Sequence, residues 1–326
     1  MKGKLGGSSD PYVSNPARLP MVSPGNDVKG AYDRVLLGQL YDVLEFANGA
    51  DDTTRKKLFA HAYAQVLKRA RAHKGVEGWI SMRMNDIHGV EDPRTMTLSQ
   101  FWLRRPDLWR VPFDSSRNYP PRAFDYAHKE VRDLYLAAAR ELFERYDMDG
   151  LDADWTRFPW YLTPGKEKEL AYLLTDFMRE IRKMANEFAA KRGHPIRVCA
   201  TVLSSPEANE RVGTDPVRWA KEGLVDALFF SCFFWEVDFA TPFAEWKKLV
   251  GAANPKVRLG ARVDTGIVLG FSRKNLSFAE YCGYFERLME QGCRDFCFFN
   301  FFNYPHFRTN PDPLWTFAIA KGGGIT

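Results

Sequence analysis

Apolar and polar positions along this chain alternate between two periods. Short runs with period two or unbroken apolar character fall at 79–84, 123–126, 150–155, 196–202, 227–231, 257–263 and 295–299, and read as strands. Between them lie stretches with apolar residues three and four apart: 53–72, 129–146, 166–192, 216–222, 242–249, 278–291 and 313–320. These read as amphipathic helices. Strands that alternate with helices imply right-handed βαβ units and a parallel sheet. Residues 31–46 fit a helix or a strand; if 35–45 is a strand, the count reaches eight.

That count and a length of 326 residues predict an α/β fold, a (β/α)8 TIM barrel. A doubly wound open sheet is the alternative, but no GxGxxG or Walker-type loop follows an early strand. Residues 1–30, rich in Gly, Ser, Pro and Asn, predict an irregular N-terminal arm, and 31–326 a single barrel domain. Residues 90–121 form a long insertion dense in Pro, Arg and Trp. It is expected to lie over the strand ends, as functional loops do.

The most informative stretch is Asp149-Gly150-Leu151-Asp152-Ala153-Asp154-Trp155. Gly150 breaks the preceding helical pattern, and alternation then puts Asp152 and Asp154 on one face of a strand. Two carboxylates on one face of a buried strand are costly unless paired or used. Trp155 and Arg157 follow at the strand's end. The packing alternative is that one Asp caps the next helix and the other pairs with a core Arg.

In barrels of this kind, chemistry collects where strands end. The ends here carry Asn85, Asp86 and His88; Asp152, Asp154 and Arg157; Ser204 and Ser205; Trp235, Glu236 and Asp238; Arg262 and Asp264; and Asn300, Asn303, Tyr304 and His306. The strand bodies, such as Ala227-Leu228-Phe229-Phe230, are apolar. Gly-x-Ser-x-Gly is absent, as are HxH and HExxH, so neither a serine elbow nor a metal site is expected, and no cofactor.

Composition removes other classes. The net charge of +5 is dispersed along helices with no clustered basic module, so no nucleic-acid partner is expected. No run reaches the length of a membrane span, and the N-terminus lacks a signal-peptide core; the chain as given reads as cytoplasmic, and as periplasmic or secreted if its N-terminus is truncated. The five cysteines follow no metal-ligand spacing and read as free thiols. Nothing in the sequence specifies an oligomeric state.

Paired carboxylates among many aromatics fit carbohydrate chemistry. Glycosidic hydrolysis needs one protonated and one ionised carboxyl group. Asp154 is the first candidate, with Glu236, Asp264 or Asp86 as its partner. Asp86, His88, Asp152, Trp155, Arg157, Trp235, Asn300, Asn303 and Tyr304 are expected to bind substrate. Asp152, deeper in the barrel, is expected to be held by Arg. A barrel that binds carbohydrate or another ligand without hydrolysing it is the alternative.

Three segments occur in order: Ser81-Met82-Arg83-Met84-Asn85-Asp86-Ile87-His88, Phe124-Asp125-Tyr126-Ala127-His128-Lys129-Glu130-Val131-Arg132, and Tyr146 through Pro159. Together they resemble the bacterial glycoside-hydrolase-like barrel proteins called glycosyl hydrolase-like family 10, from about residue 50 to the C-terminus. The resemblance implies a barrel fold and glycosidase class, with no particular sugar. Similar proteins carry a strand just upstream of a segment like Asp10-Pro11-Tyr12-Val13-Ser14, so it also implies a missing or irregular first strand here. Glycosidases of this architecture often bear a Glu at the end of the seventh strand, where this chain reads Arg262-Val263-Asp264.

Overall fold

The computed structural model describes residues 64, 67–72, 76–87, 90, 100–112, 122–232, 237–264, 266–269 and 272–298. Six strands form one parallel sheet: β1 (Trp79–Arg83), β2 (Gly150–Asp154), β3 (Arg197–Leu203), β4 (Ala227–Ser231), β5 (Arg258–Val263) and β8 (Asp295–Phe298). Their spatial order is their chain order. A short antiparallel hairpin, β6 (Gly266–Leu269) with β7 (Ser272–Asn275), precedes the last strand.

Helices fill the crossovers. They are α1 (Gln100–Arg104), α2 (Lys129–Arg145), α3 (Glu167–Arg192), α4 (Pro206–Val212), α5 (Pro216–Lys221), α6 (Phe243–Ala253) and α7 (Phe278–Glu290). Right-handed crossovers between strands in unreversed order place every helix on the same face. The aromatic contacts agree. Trp155 meets Phe177 of α3 and Trp219 of α5, Phe230 stacks 4.4 Å from Trp246 of α6, and Phe296 meets Phe285 of α7 at 4.8 Å.

Register then sorts every strand residue, because opposed residues in a parallel pair share a face. Ile80, Leu151, Ala153, Val198, Ala200, Leu228, Phe230, Ala261 and Phe296 face the helices. The other face carries Ser81 and Arg83, Asp152 and Asp154, Cys199 and Thr201, Phe229 and Ser231, Gly260 and Arg262, and Asp295 and Cys297.

That second face is concave. Arg262 on β5 donates to Asp154 on β2 at 2.9 Å, with β3 and β4 between them. Three strand spacings would set the two backbones about 14 Å apart in a flat sheet, too far for side chains standing side by side. Curling brings them tip to tip. The described strands thus make a six-stranded partial barrel with helices outside, as the βα pattern predicts. The doubly wound alternative fails because the strand order never reverses.

Two glycines shape the concave face. A β-carbon on Gly260 would lie 2.4 Å from the Phe229 ring, and one on Gly150 would lie 2.4 Å from the Trp79 ring. Each ring therefore lies across its neighbouring strand.

Three details depart from the pattern. The short strand expected at 123–126 is a single bridge between Trp109 and Phe124. Pro206–Val212, read as loop, is a helix capped by Ser205, whose hydroxyl accepts from the Ala208 amide. The described part of the insertion is ordered as α1 and a 3-10 turn at Pro106–Leu108. Trp102 and Trp109 stack there at 4.3 Å, and Arg110 reaches the segment after β2 by donating to the Leu162 carbonyl and to Glu167 at 2.8 Å. Among the described residues, no helix is long and apolar enough to cross a membrane.

Candidate functional site

The two aspartates of β2 share the concave face and differ in everything else. Asp154 is buried, with 2% of its surface exposed. One oxygen accepts from Arg262, and the other accepts from the amide and the hydroxyl of Thr156. Arg262 also donates to that hydroxyl and, at 3.0 Å, to Ser231. Burial alone would raise the pKa of Asp154. The Arg262 charge and the Thr156 hydrogen bonds override it and hold the carboxyl below its ordinary value of 3.8. Arg262 gains in turn: burial opposes its charge, but Asp154 and Asp264 raise its pKa.

Asp152, one pleat deeper, is half-buried. It accepts from the Ser81 hydroxyl at 2.8 Å and the Thr201 hydroxyl at 2.9 Å. Burial and the negative charge of Asp154 raise its pKa, and the two hydroxyls only partly oppose them. The two environments therefore push the carboxyls apart, Asp152 upward and Asp154 downward. The expected arrangement is reversed: the arginine holds Asp154, and hydroxyl groups hold Asp152.

The other expected residues divide into three groups. Asp86 is exposed beyond β1 and pairs with Arg83 at 2.7 Å. Arg157 is buried after β2, and its guanidinium lies 5.5 Å from the Phe158 ring. Burial, with Arg83 nearby, lowers its pKa to about 10. Asp264 is buried beyond β5, beside Arg262, and its carbonyl accepts from the Tyr281 hydroxyl at 3.0 Å. The structure brings these three residues to the strand-end side of the Asp152–Asp154 pair.

Trp155 requires a correction. It is fully buried among Tyr126, Tyr161, Phe177 and Trp219, with no face open to a ligand. The alternation that points Asp152 and Asp154 inward must point residue 155 outward to the helices. His88, Trp235, Glu236, Asn300, Asn303 and Tyr304 lie outside the described residues.

Three residues beyond the expected set belong here, beside Asn85, which the sequence already places at a strand end. Ser81, Thr201 and Ser231 are set by register on the same face, a signal readable once the strands are aligned. Asn85, buried at the tip of β1, donates to the carbonyls of Phe158 and Trp160 at 2.6 and 3.2 Å, tying the first two strand-end loops together. Among the described residues, no group of three His, Cys, Asp or Glu could hold a metal ion. A separate groove of about 480 Å³ lies between α3, α4 and α5, lined by Lys168, Tyr172, Glu210 and Arg218.

Fold and site together define an α/β protein of the partial-barrel type, with a carboxylate pair on its concave face. The family model that matches is the SacI restriction endonuclease N-terminal domain, over residues 1–68. It is not the glycosyl hydrolase-like family that the motifs resemble, and it covers mostly residues outside those described. No curated protein matches the chain.

Among solved structures, the chain is similar to the glycoside hydrolase domain of PgaB (BpsB) from Bordetella bronchiseptica, at 13% identity and a TM-score of 0.45. That likeness covers 78% of this chain and 79% of that one. A glycoside hydrolase family 18 N-acetylglucosaminidase from Paenibacillus barengoltzii matches at 14% identity and a TM-score of 0.32, over 43% of this chain and 46% of that one. A GH36 alpha-galactosidase, AgaA, from Geobacillus stearothermophilus matches at 10% identity and a TM-score of 0.41, over 80% of this chain and 32% of that one. The chain spans less than half the length of the last two.

Proposed function

We propose that this chain is a glycoside hydrolase that works from the concave face of its partial barrel. The observation that carries this reading is a pair of carboxyls on one strand face with opposed surroundings: Arg262 and Thr156 hold Asp154, and the Ser81 and Thr201 hydroxyls hold Asp152. Burial and the Asp154 charge raise the pKa of Asp152, while the Arg262 charge and the Thr156 hydrogen bonds overcome burial and lower that of Asp154. Environments that push paired carboxyls apart are how one site supplies both an acid and an anion at neutral pH.

In this reading Asp152, the more accessible of the two, gives the proton to the leaving oxygen. Asp154 stays charged and stabilises positive charge that develops at the sugar. The second reacting carboxylate comes from another strand end, with Glu236 and Asp264 as the candidates. Arg83, Asp86 and Arg157 supply donors and an acceptor for sugar hydroxyls. The substrate is a carbohydrate, and no cofactor is required.

The test is a screen of aryl glycosides and polysaccharides with the wild type beside Asp152→Asn. A general acid contributes about 10²–10⁴-fold, so the variant loses turnover by that factor while keeping its fold. A folded Asp152→Asn protein with full activity on a substrate the wild type cleaves ends this assignment.

One observation favours a second reading, a barrel that binds saccharide without cleaving it: Asp154 and Asp86 are each already paired with an arginine. Under that reading the wild type binds an oligosaccharide, releases no reducing sugar from it, and keeps its affinity in Asp152→Asn.

A further inference from the structure

We propose that the groove between α3, α4 and α5 is a second carbohydrate site, which holds a neutral polysaccharide chain against the Tyr172 ring, away from the concave face. This inference rests on the carbohydrate reading above. It concerns how a polymer is held, not the bond that is cut.

The groove lies on the helix side of the sheet, at its strand-end rim. α4 begins at Pro206, directly after β3 ends at Leu203. The opening turns of α3 and α5 supply Lys168 and Tyr172 on one side and Pro216 and Arg218 on the other. Its volume of about 480 Å³ falls within the range of about 300–1,000 Å³ for small-molecule sites.

The floor is fixed before any ligand arrives. Asn209, 1% exposed, donates to the carbonyls of Leu203 and Ser205 at 2.8 Å and accepts from the Thr214 hydroxyl at 2.8 Å. Trp246 is buried below and donates its indole N–H to the Ser204 carbonyl at 2.7 Å. Gly213 turns the chain from α4 to α5 at φ +82°. A β-carbon there would lie 2.9 Å from the Glu167 carbonyl oxygen, so only glycine lets this corner close on the start of α3.

Tyr172 is 51% exposed. Among the described residues its ring meets no other aromatic ring and its hydroxyl has no hydrogen-bond partner. A single exposed ring is ordinary on a protein surface. This one lines a formed cavity, four residues from Lys168 on the same face of α3.

The charges of the groove select a neutral occupant. Lys168 on α3 pairs with Glu210 on α4 at 3.1 Å, and Arg218 pairs with Glu222 at 2.8 Å. Asp215 accepts from the Arg218 amide at 3.0 Å and caps α5. An ionic ligand would have to break these pairs. A hydroxyl donates to a paired carboxylate, or accepts from a paired ammonium, without breaking anything. A pyranose brings such hydroxyls on its rim and an apolar CH face for the phenol. A chain anchored here raises its own concentration at the nearby concave face, because the second encounter becomes intramolecular.

The experiment measures retention of the full chain on cellulose, chitin, mannan and starch, with Tyr172→Ala and Tyr172→Phe beside the wild type. Thermal unfolding is recorded for each. The expected result is that Tyr172→Ala weakens retention on the recognised polymer about tenfold or more, while Tyr172→Phe stays within about threefold. Both unfold near the wild-type temperature. If the polymer is cut, its KM rises in Tyr172→Ala, and turnover of a small aryl glycoside, which needs only the concave face, is unchanged.

Equal retention of wild type and Tyr172→Ala overturns this inference and leaves the carbohydrate reading standing. So does a wild type that cleaves aryl glycosides and is retained by no polymer. An equal fall in aryl-glycoside turnover and polymer retention in Tyr172→Ala traces the effect to the fold and also overturns it. An equal loss of retention in Tyr172→Phe removes the ring as the platform. A wild type that neither binds nor cleaves any carbohydrate ends both readings together.

Discussion

The two faces of the sheet are built from alternate residues of the same strands, and they follow opposite rules. The face toward the helices is apolar on every strand, and its rings lock into α3, α5, α6 and α7. The concave face carries serine, threonine, arginine and aspartate on neighbouring strands. Parallel strands covered on both sides usually read as continuous apolar runs, and barrel interiors usually fill with branched aliphatics. Here β1 and β2 alternate, with Ser81, Arg83, Asp152 and Asp154 on the concave face, and β3, β4 and β5 add Thr201, Ser231 and Arg262. One face obtains stability from burial, while the polar part of the other depends on each group having a partner.

The largest expected effect tests that dependence directly. Arg262→Ala leaves Asp154 buried without its cation, and breaking a buried pair from one side costs about 3–5 kcal/mol. Leu228→Ala on the outer face leaves a cavity instead and costs about 2–5 kcal/mol. Denaturant unfolding of both variants places the two mechanisms side by side. An Arg262→Ala protein as stable as the wild type would mean that the concave network carries no structural weight.

A second comparison lies wholly on the outer face. Trp219 donates its indole N–H to Thr175 at 3.1 Å, whereas the indole N–H of the equally buried Trp155 has no partner among the described residues. Replacing Trp by Phe removes the N–H in both. At position 219 it strands the Thr175 hydroxyl and costs about 1–3 kcal/mol beyond the lost packing. At position 155 it removes an unsatisfied donor, so Trp155→Phe is the milder of the two in thermal unfolding. A larger loss at 155 than at 219 contradicts this.

This asymmetry between faces also explains what could be read in advance. Strands at 79–84, 150–155, 196–202, 227–231, 257–263 and 295–299 were legible because their apolar outer residues set the period, and each appears within a residue or two. The same alternation fixed Asp152 and Asp154 on one face. Their environments were not legible, because Arg262 is 108 positions from Asp154 and meets it only through curling of the sheet. Trp155 was misassigned by nearness to the acids in sequence, although the period-two rule already sent it outward. The bonds from Asn85 to the Phe158 and Trp160 carbonyls gave no periodic signal, since loop contacts have none. The α4 helix was missed because Gly213 follows closely on Pro206, although Ser205 and Pro206 together form a cap and first-turn signature.

The pH dependence of stability separates the two acids within the concave face. The folded pKa of Asp154 is lowered, so its contribution is present above the ordinary value of 3.8 and is lost as pH falls through the folded value. The folded pKa of Asp152 is raised, so its contribution is fully present below 3.8 and is lost as pH rises through the folded value. Asp154→Asn is therefore destabilised at neutral pH, with a smaller difference from wild type in acid. Asp152→Asn gains stability at neutral pH and matches the wild type in acid. The same sign of effect for both variants at neutral pH, read from denaturant midpoints across pH 2–8, would mean that the two carboxyls are not pushed apart.

The smallest effect is the finest probe of how that difference is set. Ser81 is exposed and holds Asp152 by a single hydroxyl, while Thr201 on the other side is buried. Removing an exposed hydroxyl costs little, below about 1 kcal/mol. Its hydrogen bond lowers the pKa of Asp152, so Ser81→Ala moves the Asp152 titration further up, and Thr201→Val does the same at a greater cost in stability because Thr201 itself is buried. Carboxyl chemical shifts followed through a pH titration read both displacements without needing a substrate. An unmoved Asp152 titration in Ser81→Ala would assign the proton on this acid to burial and the Asp154 charge alone. An upward move in both variants would show that the hydroxyl row of the concave face tunes the acid it surrounds, which no residue of the outer face could do.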